Sequence, residues 1–146
     1  MSITIRRFEP DDHTAWRALW LGYCDFYNAA VPDAVTEETW RRVSSGDGPI
    51  FGFCAALDAR MIGIVHYLFH PVTWATGPRC YLEDLFVAPD VRGHGAGRAL
   101  IEAVYAEADS AGADQVYWLT HTGNETARAL YDRVGAHQGM IKYRRK

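Results

Sequence analysis

The chain has 146 residues, of which 49% are hydrophobic and 23% charged, and its formal net charge at pH 7 is −3. This composition excludes a largely disordered chain, and the negative balance argues against a broad electrostatic grip on nucleic acid. No apolar run approaches the roughly 20 residues of a membrane span, and the N-terminus shows no apolar signal-peptide core. We therefore expect one cytoplasmic domain without a nucleic-acid or membrane partner.

The cysteines and histidines give no pattern typical of a metal site. Cys24, Cys54 and Cys80 are odd in number, widely spaced and without a CxxC pair, so they are predicted to be reduced, buried thiols. His66 and His70 are four residues apart on a predicted strand, where they would not converge, and no third ligand is evident. No metal is expected.

The first third of the chain predicts a strand followed by two helices. Alternation over 3–8 predicts the strand, and Pro10 with the two aspartates after it indicates a helix start. A second helix is predicted over 36–44 with Thr36 as its N-cap. The first helix carries an apolar, largely aromatic stripe that either faces the core or, at its far end, lines a substrate pocket. Its members are Trp16, Leu19, Trp20, Tyr23, Phe26 and Tyr27.

The remainder predicts a hairpin and then alternating strands and helices. Strands are predicted over 50–57, 61–69, 80–87, 115–120 and 137–144, and helices over 95–111 and 124–134. The strand–helix–strand portion over 80–120 implies parallel neighbours joined by a crossover helix, whereas the hairpin implies an antiparallel part. We predict an α/β (α+β) fold with a mixed sheet and helices on both faces.

A glycine-rich turn separates the strand that ends at Val87 from the long helix, with the sequence Arg92-Gly93-His94-Gly95-Ala96-Gly97-Arg98. Glycine lets the backbone come close to a ligand, and the free N–H groups of a helix start bind phosphate or pyrophosphate. Arg92 and Arg98 can add charge-assisted bonds, and His94 can donate to a phosphate. The alternative is a loop that merely turns the chain.

Two other anion-binding loops fit this turn poorly. A Walker A loop ends in Gly-Lys-Ser/Thr, but Gly97-Arg98-Ala99 stands here. A dinucleotide fingerprint needs a glycine where Arg98 or Leu100 stands, and an acidic residue after the next strand, which ends in Thr120-His121. Hydrolysis of ATP or GTP and dinucleotide binding are therefore disfavoured.

The turn does match the pattern Arg/Gln-x-x-Gly-x-Gly/Ala through Arg92, Gly95 and Gly97. With Tyr-Leu-Glu-Asp-Leu-Phe-Val at 81–87 and Asn-Glu-Thr-Ala-Arg-Ala-Leu-Tyr at 124–131, the chain resembles the GNAT superfamily of N-acetyltransferases over nearly its whole length. It looks closest to a small branch of polyamine and histone/protein acetyltransferases. The resemblance implies a single N-acetyltransferase domain over 1–146, a mostly antiparallel central sheet with a parallel β-α-β core, acetyl-CoA as co-substrate, no metal, and a homodimer formed through terminal strands.

The resemblance also implies two catalytic residues. Glu83 would be a water-linked base for the acceptor amine, and Tyr131 the acid that donates to the departing thiolate. The alternatives are a structural carboxylate and a core tyrosine. Glu83 lies four residues before Val87, so both are expected on one face of the strand, with Asp84 on the opposite face in a structural role.

The resemblance further implies that the backbone of 85–87 pairs with the pantetheine arm and that the Val87 N–H donates to the thioester carbonyl. This requires the strands over 80–87 and 115–120 to splay apart, with Tyr117, Trp118 and Leu119 lining the other side. Asn124 would cap its helix and bond the pantetheine. The predicted cofactor-binding residues are Leu85, Phe86, Val87, Arg92, Gly93, His94, Gly95, Ala96, Gly97, Arg98, Asn124 and Ala127.

The function implied is acetyl transfer to a primary amine by direct attack in a ternary complex. The acceptor would be a polyamine, a lysine side chain, an amino-sugar or a small amino acid, and an acidic set points to a cationic amine: Asp25, Asp33, Glu37, Glu38 and Glu83. The basic end over 142–146 is either a solvated terminus or a contact for the 3′-phosphate of coenzyme A or a partner subunit. The alternatives are a non-catalytic acyl-CoA-binding or sensor module of the same fold and a different nucleotide-binding protein.

Overall fold

The computed structural model describes residues 2–146, whose strands form one five-stranded sheet. The strands are β1 (Ile3–Arg6), β2 (Ile50–Leu57), β3 (Arg60–His70), β4 (Arg79–Val87) and β5 (Val116–Tyr117). They lie in the order β1-β2-β3-β4-β5, with three antiparallel pairs and a parallel β4–β5 pair. The predicted mixed, mostly antiparallel sheet is confirmed, as is the hairpin of β2 and β3.

Four α-helices cover both faces of the sheet. They are α1 (His13–Phe26), α2 (Asp33–Ser44), α3 (Ala96–Ser110) and α4 (Glu125–Val134), with 3-10 turns at Pro10–Asp12 and Pro89–Val91. The helices α1 and α2 bury Trp16 and Val43 on one face, whereas α3 buries Leu100 and Val104 on the other. Within residues 2–146, no helix combines the length and the apolar character that crossing a membrane requires.

The three cysteines are buried and free, as predicted. Burial raises the pKa of the Cys54 and Cys80 thiols to about 11, so both are protonated and unreactive at neutral pH. Across residues 2–146, no three His, Cys, Asp or Glu side chains converge as metal ligands would.

The C-terminal part of the chain departs most from prediction. The predicted strand over 115–120 is reduced to Val116–Tyr117, and the predicted strand over 137–144 does not form. The side chains of Met140, Ile141 and Tyr143 are 80%, 76% and 88% exposed. Strand-like alternation becomes a strand only where a neighbouring strand accepts its hydrogen bonds, and here none of the described residues does so.

The start of α2 also corrects a prediction. The helix begins at Asp33, three residues before Thr36, and Pro32 occupies the N-cap position. Thr36 is instead fully buried, and its Oγ1 accepts a hydrogen bond from Trp20 Nε1–H at 3.1 Å. The residue therefore joins α2 to α1 and does not cap its own helix.

The substitution Thr36→Val tests this role. Valine has nearly the shape of threonine but leaves the buried indole N–H of Trp20 without an acceptor, so the free energy of unfolding should fall by about 1–3 kcal/mol. Thr39→Val is the matched control, because the exposed Thr39 hydroxyl only donates to the carbonyl of Val35 in its own helix at 2.9 Å. Urea unfolding of both variants should separate them, and equal losses would contradict the interpretation.

Candidate active site

A cleft of about 510 Å³ opens beside the C-terminal end of β4. Its walls come from the end of α1, the end of β4, the glycine-rich turn with the start of α3, and α4. They contribute Tyr23, Phe26 and Tyr27; Leu85, Phe86 and Val87; Arg92, Gly93 and Gly95 to Arg98; and Asn124, Thr126, Ala127, Ala129, Leu130, Tyr131 and Arg133.

The cleft exists because two parallel strands diverge. The strands β4 and β5 pair only at Cys80–Val116 and Tyr81–Tyr117, although β4 continues to Val87. The residues over 85–87 pair with β3 on one side and border the cleft on the other. The splaying expected from the sequence is therefore present, and it leaves strand backbone beside the cleft, where an extended ligand can pair with it.

The glycine-rich turn presents an open helix start to this cleft. Gly93 and Gly95 have φ angles of +88° and +86°, a left-handed conformation that favours glycine, and a Cβ built on either would meet nothing within 4 Å. Gly95 is the N-cap of α3, and its carbonyl accepts from the N–H of Ala99 at 3.0 Å. The N–H groups over 96–98, which precede that first helical bond, are therefore free of partners within the helix at its positive end and suit an anion.

All but one of the predicted cofactor-binding residues line the cleft. The exception is His94, whose exposed side chain is not part of the lining. It stands between two glycines in the left-handed conformation and turns to solvent. Arg92 donates from Nε to the carbonyl of Val87 at 3.2 Å, and Arg98 pairs with Glu102 at 2.9 Å, so both guanidinium groups are anchored beside the turn.

The second wall of the cleft is α4, and the segment over 117–119 predicted for this wall is not part of the lining. Trp118 packs behind α4 with its ring 5.4 Å from that of Tyr131, and Leu119 is exposed. The helix α4 packs closely against the start of α3, since a Cβ added to Gly97 would lie only 3.1 Å from Leu130 Cδ2.

Four lining residues on α4 were not predicted from the sequence, namely Thr126, Ala129, Leu130 and Arg133. Helical periodicity gives a signal for part of the set. Residues three and four apart share a helix face, so Ala127 and Tyr131 predict that Leu130 lies beside them.

Tyr131 lies in this wall as a largely buried phenol. Burial, and secondarily the neighbouring Tyr27 hydroxyl, raise the pKa of Tyr131 to about 12. The group therefore holds its proton at neutral pH and can act as a hydrogen-bond donor to a ligand in the cleft. Asn124 occupies the N-cap position of α4, but its side chain makes no capping hydrogen bond, and its Nδ2 donates to Thr120 Oγ1 at 3.2 Å.

Part of the apolar stripe of α1 faces the core and part lines the cleft, so both alternatives left open by the sequence are realised. Trp16, Leu19 and Trp20 are buried in the core, whereas Tyr23, Phe26 and Tyr27 line the cleft. The N-terminal half of the helix thus holds the fold together, and its C-terminal half borders the ligand space.

The position of Glu83 corrects the predicted strand faces. Leu82 pairs with Tyr67 and Asp84 with His66, so Glu83 is an extra residue that forms a bulge. The bulge reverses the alternation, with the consequence that Leu82 and Val87, five residues apart, both pack toward α3. Glu83 and Val87 therefore do not share a face.

Glu83 lies beside the cleft and is not part of its lining. Burial first, and then the negative charge of Asp84, raise the pKa of the Glu83 carboxyl above its ordinary value, whereas a positive charge on His66 and that of Lys142 act in the opposite direction. Both carboxylates act on Tyr23, a cleft residue whose pKa is raised by burial and by these charges. A carboxylate of raised pKa is a stronger proton acceptor.

Three of the other four acidic residues predicted near an acceptor are paired with basic side chains. Asp33 pairs with Arg17 at 3.1 Å, and Glu37 contacts His13 at 3.0 Å. Glu38 pairs with a neighbouring arginine of its own helix. Asp25 is exposed and does not line the cleft. Asp33, Glu37 and Glu38 are therefore paired on the surface of α1 and α2.

Comparison with known proteins finds matches to one family over most of the chain. The family model described as the Acetyltransferase (GNAT) family matches residues 13–136. The D-amino-acid N-acetyltransferase HPA3 of Saccharomyces cerevisiae is 35% identical over 98% of this chain and 90% of its own length. The aminoglycoside N(6')-acetyltransferase type 1 of Stenotrophomonas maltophilia is 35% identical over 90% of this chain and 84% of its own length.

A solved structure has the same fold. The enzyme AAC(6')-Iy, in complex with the bisubstrate analogue CoA-S-monomethyl-acetylneamine, gives a TM-score of 0.86 with 21% identity and covers 100% of this chain and 99% of its own. The names of these three proteins point to two kinds of acceptor, a D-amino acid and aminoglycosides, and they do not single out the polyamine or histone branch that the sequence predicted.

Proposed function

The chain belongs to the GNAT family and is an acetyl-CoA-dependent N-acetyltransferase, and on this premise we propose that its cleft moves the acetyl group to a primary amine by direct attack in a ternary complex. One observation carries the proposal. The cleft brings the free N–H groups at the start of α3 together with the protonated phenol of Tyr131.

Donor binding follows from the wall that the turn provides. The N–H groups over 96–98 suit the diphosphate of coenzyme A, and Arg92 and Arg98 add positive charge beside it. The cleft-facing backbone over 85–87 pairs with the pantetheine, and the N–H of Val87 donates to the thioester carbonyl. Asn124 and Ala127 border the same arm from α4.

The acceptor chemistry gives each catalytic group one task. The ammonium first loses a proton to Glu83 through water, and the neutral amine nitrogen then attacks the thioester carbon. The N–C bond forms, the C–S bond breaks, and the second proton released from the nitrogen neutralises the departing thiolate to give the thiol of coenzyme A. Tyr131 donates a hydrogen bond to the departing sulfur. Because its pKa of about 12 exceeds that of a thiol, about 8.5, Tyr131 stabilises the thiolate by this bond without first giving up its proton.

The acceptor is a cationic amine bordered by Glu83, Asp84 and the aromatic end of α1. Aromatic rings and carboxylates together favour an ammonium group. A small amino acid or an amino-sugar is supported by the names of the relatives, and a polyamine or a lysine side chain by the Leu-Glu-Asp motif at 82–84. A single domain over 1–146, a homodimer and a cytoplasmic location complete the proposal as implied by the family resemblance.

Thiol release from acetyl-CoA in the presence of single amines tests the proposal. The panel comprises spermidine, lysine, a series of D- and L-amino acids and kanamycin, with mass spectrometry of the product. At least one amine should give coenzyme A and a product that carries one added acetyl group. Coenzyme A, but not ATP or NAD, should raise the Tm. Stabilisation by coenzyme A with no turnover on any amine would support the sensor alternative instead.

A further inference from the structure

A buried polar cluster lies beneath the acceptor side of the cleft, and two of its three members have no role in the chemistry above. The His66 side chain is 1% exposed and lies between Trp16 and Asp84. Trp16 Nε1–H donates to His66 Nε2 at 3.0 Å, and His66 Nδ1 lies 2.9 Å from Asp84 Oδ2. Three residues from α1, β3 and β4 thus form one hydrogen-bonded chain.

The indole fixes the tautomer of the histidine. An indole N–H can only donate, so His66 Nε2 must accept and carries no proton. The single ring proton is therefore on Nδ1, from which it donates to Asp84. A protonated His66 would direct a second N–H at the indole N–H, so the ring is held neutral and the pair of His66 and Asp84 carries one net negative charge.

This charge lies in largely apolar surroundings beside Glu83. The ring of His66 is flanked by the rings of Phe8 and Trp20, with centroids 6.1 and 5.7 Å away. The strand bulge inserts Glu83 next to Asp84, which pairs with His66 across β3 and β4. A charge in such surroundings is screened less than one in water, so it acts strongly on a neighbouring carboxyl.

We propose that His66 is a positioning residue, which, under the proposed function, holds the Asp84 carboxylate beside Glu83 through its Nδ1–H bond and so makes Glu83 the stronger proton acceptor. The groups that face Glu83 are consistent with this role. Asp84 and Tyr81 lie on its own strand, Tyr23 on α1, Tyr117 on β5, Lys142 in the C-terminal segment and His66 on β3. A positive charge on His66 would act against Asp84, and the bond from Trp16 prevents it.

The test compares the pH dependence of kcat/KM for wild type, Asp84→Asn and Glu83→Gln with one active amine. The protonation of the amine itself is common to the three assays, so any difference reports the protein. In Asp84→Asn the acidic limb due to Glu83 should move to lower pH by about one unit, since a like charge beside a carboxyl is removed. A purely structural role would lower kcat/KM at every pH and leave the limb in place.

Glu83→Gln separates this inference from the proposed function. If the variant loses the limb and Asp84→Asn leaves its midpoint unchanged or higher, the inference is wrong and the proposed base stands. If Glu83→Gln keeps the wild-type limb, the base assignment fails and the inference fails with it.

A measurement on the wild-type protein covers the case in which Asp84→Asn does not fold. Nitrogen-15 NMR of the histidine ring at neutral pH should show His66 with a proton on Nδ1 and none on Nε2. A proton on Nε2, or on both nitrogens, would overturn the inference, because the net negative charge would then be absent.

Discussion

Tyr131→Phe is expected to lower kcat about 100-fold and to leave the KM for acetyl-CoA within about twofold of wild type. The phenol lies in the wall formed by α4 and is protonated at neutral pH, since its pKa is raised to about 12. Its hydrogen bond strengthens only as charge develops on the sulfur, so the loss falls on the transition state and not on the bound donor. Steady-state kinetics at saturating amine measures both constants.

Tyr105→Phe is the matched control for this substitution. The Tyr105 hydroxyl on α3 donates to the carbonyl of Val134 at 2.6 Å, and the residue does not line the cleft. Its loss removes a bond that holds the end of α4 but no group that can reach the substrate, so kcat should change less than threefold. Wild-type turnover in Tyr131→Phe, or equal losses in the two variants, would contradict the assigned role.

The features predicted well from the sequence depend on neighbours along the chain. The turn over 92–98 joins a strand end to a helix start, and its glycines specify the backbone conformation locally. Both ends of the core helix α3 lie within one residue of the predicted bounds, because the apolar stripe and the Gly112 that follows it are contiguous in sequence. The parallel pair β4–β5 then follows from the crossover helix that joins the two strands.

The features that were missed depend on pairing across distant segments. The bulge at Glu83 is a property of the register between β3 and β4, and no pattern within either strand reveals it. The buried Thr36 needs an indole sixteen residues away, and the cluster at His66 joins positions 16, 66 and 84. Alternation over 137–144 predicted a strand for which the described chain supplies no neighbour.

Gly95→Ala should weaken coenzyme A binding by about 10- to 100-fold and should also lower the free energy of unfolding by about 1–2 kcal/mol. The residue has φ +86°, so an alanine there is strained. Its Cβ would meet no protein atom within 4 Å, and the residue lines the cleft where the diphosphate is proposed to lie. The backbone strain of the alanine should lower the stability of the fold, whereas the space taken by its methyl group should weaken the binding of coenzyme A.

Gly112→Ala separates these two effects at the other end of the same helix. Gly112 has φ +72°, and a Cβ there also meets nothing within 4 Å, but it does not line the cleft. The two variants should therefore lose similar stability in calorimetry, while isothermal titration with coenzyme A shows weaker binding only in Gly95→Ala. If both bind as tightly as wild type, the start of α3 does not hold the diphosphate, and if both bind equally weakly, strain in α3 and not the turn itself controls affinity.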